Sequence, residues 1–207
     1  MRNILFDVDG VLIHGFHTQP ELQHRWSQNL HNDFGIPEDL FTQEFIQGPF
    51  INEVLIGQKS LYAALRKTLP ELGYGGSTQE FIDYWLKNDS KMNYDLQQKI
   101  QTLKNSGNFR MFIATNQEHE RARYLMDDLC FNRYFEDIFY SARIGYLKPE
   151  QDYYDFINKT LPESKFPPIF FDDSPHNVDV ARANGWDAYI YNSNDDLQSC
   201  MAIRRYL

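Results

Sequence analysis

The chain begins Met1-Arg-Asn-Ile-Leu-Phe-Asp-Val-Asp-Gly-Val-Leu-Ile-His-Gly15, MRNILFDVDGVLIHG (residues 1–15). The apolar run NILF (3–6) reads as a buried β-strand, yet it ends in two aspartates one residue apart, followed at once by glycine. Residues i and i+2 of a strand point to the same side, so Asp7 and Asp9 are expected to converge at the strand's end. Two carboxylates ~4 Å apart repel by ~4 kcal/mol at an effective dielectric of ~20. Something elsewhere in the chain must offset that repulsion.

Outward from this stretch, further short apolar runs lie at FRMFIAT (109–115), DIFYS (137–141), PPIFF (167–171) and AYIY (188–191). Helical patterns separate the later ones, over 118–130, 150–161 and 176–184. Near-continuous apolar strands suit a sheet covered on both faces. Strand–helix alternation predicts an α/β fold, a doubly wound parallel sheet. Between the first and second strands, about 16 to 92, only helical patterns occur: PELQHRWSQNLHNDF, KSLYAALRKTL and TQEFIDYWLKN. That length exceeds an ordinary crossover and predicts a helical domain at 16–92 inserted into a core formed by 1–15 and 93–207.

Open parallel sheets bind ligands at the carboxyl ends of their strands. Here the first strand ends in Asp7-Val-Asp9-Gly10, the second in Thr115-Asn116, and the fourth in Asp172-Asp173-Ser174; the third leads into Ile144-Gly145-Tyr146-Leu147-Lys148-Pro149. Four strand ends therefore bring four carboxylates, one hydroxyl and one ammonium toward a single crevice. Asp7-Val-Asp9-Gly10 alone reads as readily as a turn as a functional site, and each of the others alone would be read as a cap, a turn or solvated surface.

Composition limits the partners. The 207 residues carry 20 Lys+Arg against 29 Asp+Glu, a net charge of −9, which argues against nucleic acid or an anionic membrane. No apolar run reaches ~18 residues, and Asp7 and Asp9 interrupt the one apolar stretch near the start, so a cytoplasmic protein is expected. Cys130 and Cys200 match no metal or redox spacing and are expected as reduced, buried thiols.

DVDGV, IATN, LKPE and FFDDS together resemble the four motifs of the haloacid dehalogenase (HAD) superfamily of hydrolases, in the subclass with a helical cap inserted after the first motif. The resemblance spans the expected core. It implies Asp7 as the nucleophile that forms an aspartyl-phosphate, and Asp9 as the acid that protonates the leaving oxygen and then deprotonates water. Thr115, Asn116 and Lys148 would hold the phosphoryl group, with Lys148 neutralising charge beside Asp7. Mg²⁺, a hard cation, would be bound by Asp7, the backbone carbonyl of Asp9, and Asp173 and Asp172, Asp173 ranking first because Asp172 stands where many members have glycine. Asn177 replaces an acid found in some relatives. The implied activity is hydrolysis of a small phosphomonoester, sugar phosphates foremost, by a monomer or dimer acting on a phosphorylated metabolite. A phosphomutase and a catalytically silent binding module are the alternatives.

Within that frame, Asp9 counts against dehalogenation, which needs no acid two residues after the nucleophile. The absence of lysine from 16–58 counts against a Schiff-base phosphonatase. His17 lies two positions short of the histidine that family mutases place inside the cap. His17, His24 and His31 recur every seven residues; on a continuous helix they would sit ~10 Å apart, too far for one metal ion, and solvated or partly packed histidines are expected. Residues 16–58 hold Arg25 as their only Lys or Arg, against six acids. Phe16, Trp26, Phe45, Phe50, Asn52 and Gln58 are expected to offer the leaving group an aromatic and amide surface.

Overall fold

The computed structural model describes all residues 1–207. Five strands, β1 (Arg2–Phe6), β2 (Phe109–Thr115), β3 (Asp137–Tyr140), β4 (Ile169–Asp172) and β5 (Asp187–Ile190), form one sheet in the order β3-β2-β1-β4-β5, every pair parallel. The α/β, doubly wound expectation is met. Register places Phe6 beside both Ile113 and Phe171, so β1 ends level with its neighbours. Chain order reverses at β1, and this switch point opens a crevice beyond its carboxyl end.

Helices α1 (Leu30–Phe34), α2 (Glu38–Phe41), α3 (Leu61–Glu71), α4 (Thr78–Asn88), α5 (Tyr94–Asn105), α6 (His119–Asp127), α7 (Ser141–Ile144), α8 (Gln151–Thr160) and α9 (Pro175–Ala183) complete the regular structure, with short turns and a kinked helical segment over Thr42–Val54. The period-two alternation of β1 divides the core. Ile4 and Phe6 face one apolar cluster with Leu96, Ile100 and Leu103 of α5. Leu5 faces the other, with Tyr153, Tyr154 and Ile157 of α8 and Val178 and Ala181 of α9.

A third cluster, Leu30 to Leu86, contains only residues between β1 and β2. Ser60 and Ser77 cap α3 and α4 by accepting from Ala63 N–H and Glu80 N–H, satisfying donors with no partner inside the helix. A helical segment runs on from α2 over Thr42–Val54 and breaks at Gly48 (φ −107, ψ −112), just before Pro49. Proline lacks an N–H and disfavours helical geometry in the residue before it. The insertion's two connections run side by side: His14 N–H donates to Lys91 O (2.8 Å) and Asn93 N–H to Leu12 O (3.0 Å).

Three expectations are corrected. PELQHRWSQNLHNDF is not one helix: a single turn at Pro20–Leu22 and the five-residue α1 are separated by backbone that turns extended at Gln23 (φ −65, ψ 137). Trp26 is drawn from that stretch into the apolar cluster, stacked on Trp85 at 4.5 Å and 15°, so burial there outweighs helical continuation. His17, His24 and His31 consequently share no helix face, and His17 is buried at 3% exposure rather than solvated. Cys200 is buried, but Cys130, at φ 59 in the turn after α6, is only half-buried. Both thiols are free.

Candidate active site

The ends of β1, β2 and β4 and the loop carrying Lys148 meet at one crevice, although the Asp9 carboxylate does not join that of Asp7 in the acidic cluster. Asp7 follows β1, and its N–H donates to Phe171 O of β4 at 2.9 Å. Lys148 Nζ lies 2.9 Å from Asp7 Oδ1, 2.7 Å from Asp172 Oδ2 and 3.0 Å from Ala114 O. Asn116 holds the Lys148 backbone from both sides: Lys148 N–H donates to Asn116 Oδ1 (2.8 Å), and Asn116 Nδ2 donates to Lys148 O (3.1 Å). The side chain of Asn116 thus positions the lysine.

Asp7, Asp172 and Asp173 are buried, with one carboxylate oxygen of each within 4.8 Å of the others. Burial pushes the Asp7 carboxyl well above the usual range, against the pull of Lys148 and with Asp172 and Asp173 adding to the rise. Burial likewise raises Asp173, partly offset by the hydrogen bond from Thr18 N–H (2.6 Å to Oδ2). For Lys148, burial alone would lower the ammonium, but Asp172 and Asp7 outweigh it and hold it above the ordinary range. Ionised together, the three carboxylates would outweigh the one ammonium by two negative charges, and as hard oxygen donors they form a set that fits a divalent cation. Of the acids, Asp172 is the most occupied, accepting from Lys148, Ser174 N–H (2.8 Å) and Asn177 Nδ2 (3.1 Å). Asn177 therefore orients Asp172. Gly10 sits at φ +77, and a Cβ there would lie 2.9 Å from Asp173 Cγ, so the glycine serves both the turn and the approach of Asp173.

Asp9 is held differently. Arg121 of α6 grips both its oxygens, Nη1 to Oδ2 and Nη2 to Oδ1, each at 2.8 Å, and Gln117 Nε2 donates to Oδ2 at 2.6 Å. Arg121 also reaches Asp89, between α4 and the exit connection: Nη2 donates to its backbone O at 2.9 Å and lies 3.3 Å from its Oδ2. Burial pushes the Asp89 carboxyl up to about 7 despite this partner, with Asp9 adding to the rise. Glu118 caps α6 by accepting from Glu120 and Arg121 N–H groups, and burial pushes it up to about 7. Nothing in the sequence singled out Arg121, Gln117 or Asp89, which look like ordinary helix-surface residues.

These groups line a cleft of about 1240 Å³ between the strand ends and the helical insertion, with Thr115 at the sheet side and Trp26, Phe50 and Trp85 opposite. Phe16 also lines it, but Phe45 is fully buried in the insertion's apolar cluster, and Asn52 and Gln58 lie elsewhere. Arg25 is paired with Glu38, Nε to Oε1 at 3.0 Å. His17 is buried beside Asp173, its Nδ1 accepting from Gln19 N–H (2.9 Å) and 3.5 Å from Asp173 Oδ2.

No curated protein sequence matches the chain. Among solved structures, a HAD family enzyme from Bacteroides thetaiotaomicron, in complex with magnesium and inorganic phosphate, is 17% identical with a TM-score of 0.74, over 96% of this chain and 98% of that one. A predicted HAD-like family hydrolase from Porphyromonas gingivalis is 22% identical (TM-score 0.71; 99% and 97% covered). The L-2-haloacid dehalogenase of Xanthobacter autotrophicus is 17% identical (TM-score 0.62; 96% and 81% covered). The family profile of haloacid dehalogenase-like hydrolases matches residues 1–185, and the chain belongs to that family.

Proposed function

We propose that the protein is a magnesium-dependent phosphatase that hydrolyses a small phosphomonoester, with sugar phosphates favoured, through a phosphoryl group carried on Asp7. The carrying observation is the placement of Asp7 at the sheet's switch point, 2.9 Å from Lys148 and clustered with Asp173, which also lines the cleft, and with the fully buried Asp172. The magnesium complex of the Bacteroides enzyme supports the choice of metal. Asp7, Asp173 and the backbone carbonyl of Asp9 would hold Mg²⁺, with Asp172 beside them, and the ion would neutralise charge on the phosphoryl oxygens.

An Asp7 oxygen attacks phosphorus and the bond to the leaving oxygen breaks, that oxygen taking its proton from Asp9. Water then attacks phosphorus, its proton passes to Asp9, and the bond to Asp7 breaks to release inorganic phosphate. Thr115 and Lys148 orient the phosphoryl oxygens and offset their charge. Residues 16–92 act as a cap that encloses the leaving group, which contacts Trp26, Phe50 and Trp85. A mutase must also hold a second phosphate. The cleft's cations Arg25, Arg121 and Lys148 are all already paired with carboxylates, which favours simple hydrolysis.

Phosphate release from a panel of phosphorylated metabolites, with Mg²⁺ and with EDTA, tests the reading. Asp7→Asn should fold and lose activity, since an amide is a poor nucleophile. Retention of more than about a tenth of the wild-type rate, only 1.4 kcal/mol of barrier, refutes the nucleophile.

A further inference from the structure

The cluster around Asp9 is costly to build. It places a guanidinium, 9% exposed in its side chain, between two carboxylates, and leaves Arg121 Nε buried with no hydrogen-bond partner. Ion pairs of this kind contribute little net stability over an apolar replacement. The chain also makes room for it: a Cβ on Gly15 would lie 2.6 Å from Asp9 Oδ1 and 3.2 Å from Asp89 Oδ1. Four separate stretches thus contribute to one group: Asp9 after β1, Gly15 on the entry connection, Asp89 near the exit connection, and Gln117 with Arg121 around the start of α6.

The fork geometry specifies more than charge balance. Two parallel N–H···O bonds fix the rotation of a carboxylate as well as its place, which a lysine ammonium cannot do. Asp9 Oδ2 accepts from both Arg121 and Gln117, whereas Oδ1 accepts from Arg121 alone. Oδ1 therefore keeps a lone pair free to carry a proton.

We propose that Arg121 is the positioning residue for Asp9. It orients the carboxylate so that Oδ1 exchanges the proton, and it ties that orientation to the connection between insertion and core through Asp89. This rests on the phosphatase reading, in which Asp9 is the acid for the leaving oxygen.

The experiment compares kcat/KM for phenyl phosphate and p-nitrophenyl phosphate in the Mg²⁺-supplemented protein. The two leaving groups share a ring, but phenolate needs a proton far more than nitrophenolate does. A general acid supplies roughly 10²–10⁴-fold, so Arg121→Gln should lose about tenfold more on phenyl than on p-nitrophenyl phosphate. Arg121→Lys keeps the buried charge and guards against misfolding, checked by an unchanged far-UV spectrum. It should show the same imbalance, because it cannot grip both oxygens. Asp9→Asn should show it too, and the double variant Asp9→Asn/Arg121→Gln should add little, as expected of residues acting as one unit. Equal losses on both substrates in the folded Arg121 variants, with Asp9→Asn still discriminating, overturn the positioning role and leave the phosphatase reading standing. Absence of discrimination in Asp9→Asn itself removes Asp9 as the acid, and the positioning role falls with it.

Discussion

Asp173→Asn should make the metal-free protein more stable while abolishing its response to Mg²⁺. Asp7, Asp172 and Asp173 place carboxylate oxygens within 4.8 Å of one another, with Lys148 as the one ammonium among them. At 4.8 Å, the widest separation in the cluster, a fully ionised pair repels by about 3.5 kcal/mol at an effective dielectric of ~20, and protonation and relaxation reduce this. Removing one charge while keeping an oxygen for Thr18 N–H should therefore recover about 1–2 kcal/mol. For a chain of 207 residues that is roughly 2–8 °C in Tm. Wild type should gain stability with Mg²⁺ as RT ln(1 + [Mg²⁺]/Kd), about 1.4 kcal/mol at ten times Kd. Thermal melts followed by circular dichroism at pH 8, with EDTA and with stepwise Mg²⁺, measure both effects. A variant that melts below wild type in EDTA, or that keeps the wild-type Mg²⁺ shift, would refute the carboxylate cluster as the metal site.

Three further outcomes are expected. Glu118 is pushed from 4.5 up to about 7 by burial, so the native state binds the extra proton between those values and stability falls as pH rises through that window. Glu118→Gln removes a cost of at most about 3 kcal/mol but weakens one capping bond by about 1, leaving it about 1–2 kcal/mol more stable at pH 8 and closer to wild type at pH 4.5; urea unfolding showing it less stable at pH 8 would contradict this. Gly10→Ala should cost about 1–2 kcal/mol from its φ of +77 and also impair turnover by displacing Asp173, which lies 2.9 Å from the added Cβ; near-wild-type kcat and Tm would count against both. On a substrate panel, small monophosphates should exceed bisphosphates and nucleoside di- and triphosphates in kcat/KM, because every cleft Lys or Arg is already paired; a tenfold lead for a bisphosphate or nucleotide would sink that reading.

What the sequence by itself determined is what short-range periodicity encodes. Alternation along NILFDVD places Ile4, Phe6 and Val8 in one cluster and Leu5 in the other, and sets Asp7 directly after β1. The five apolar runs became the five strands, and Thr115, Lys148 and Asp173 could be assigned to the cleft because parallel strands deliver their ends to one edge. Only the tertiary structure decided the rest. Whether residues 20–34 formed one helix depended on Trp26 stacking against Trp85, 59 residues further along, and local propensity carries no record of that contact. Phe45 turned inward and Phe50 toward the cleft through the break at Gly48. The partner of Asp9 lies 112 residues away, and Asp89, which shares it, lies 32 residues from Arg121. An arginine on an amphipathic helix looks the same in sequence whether it faces water or grips a buried carboxylate. That difference is set by where the chain folds back, and burial then raises the energetic cost of every charge it encloses.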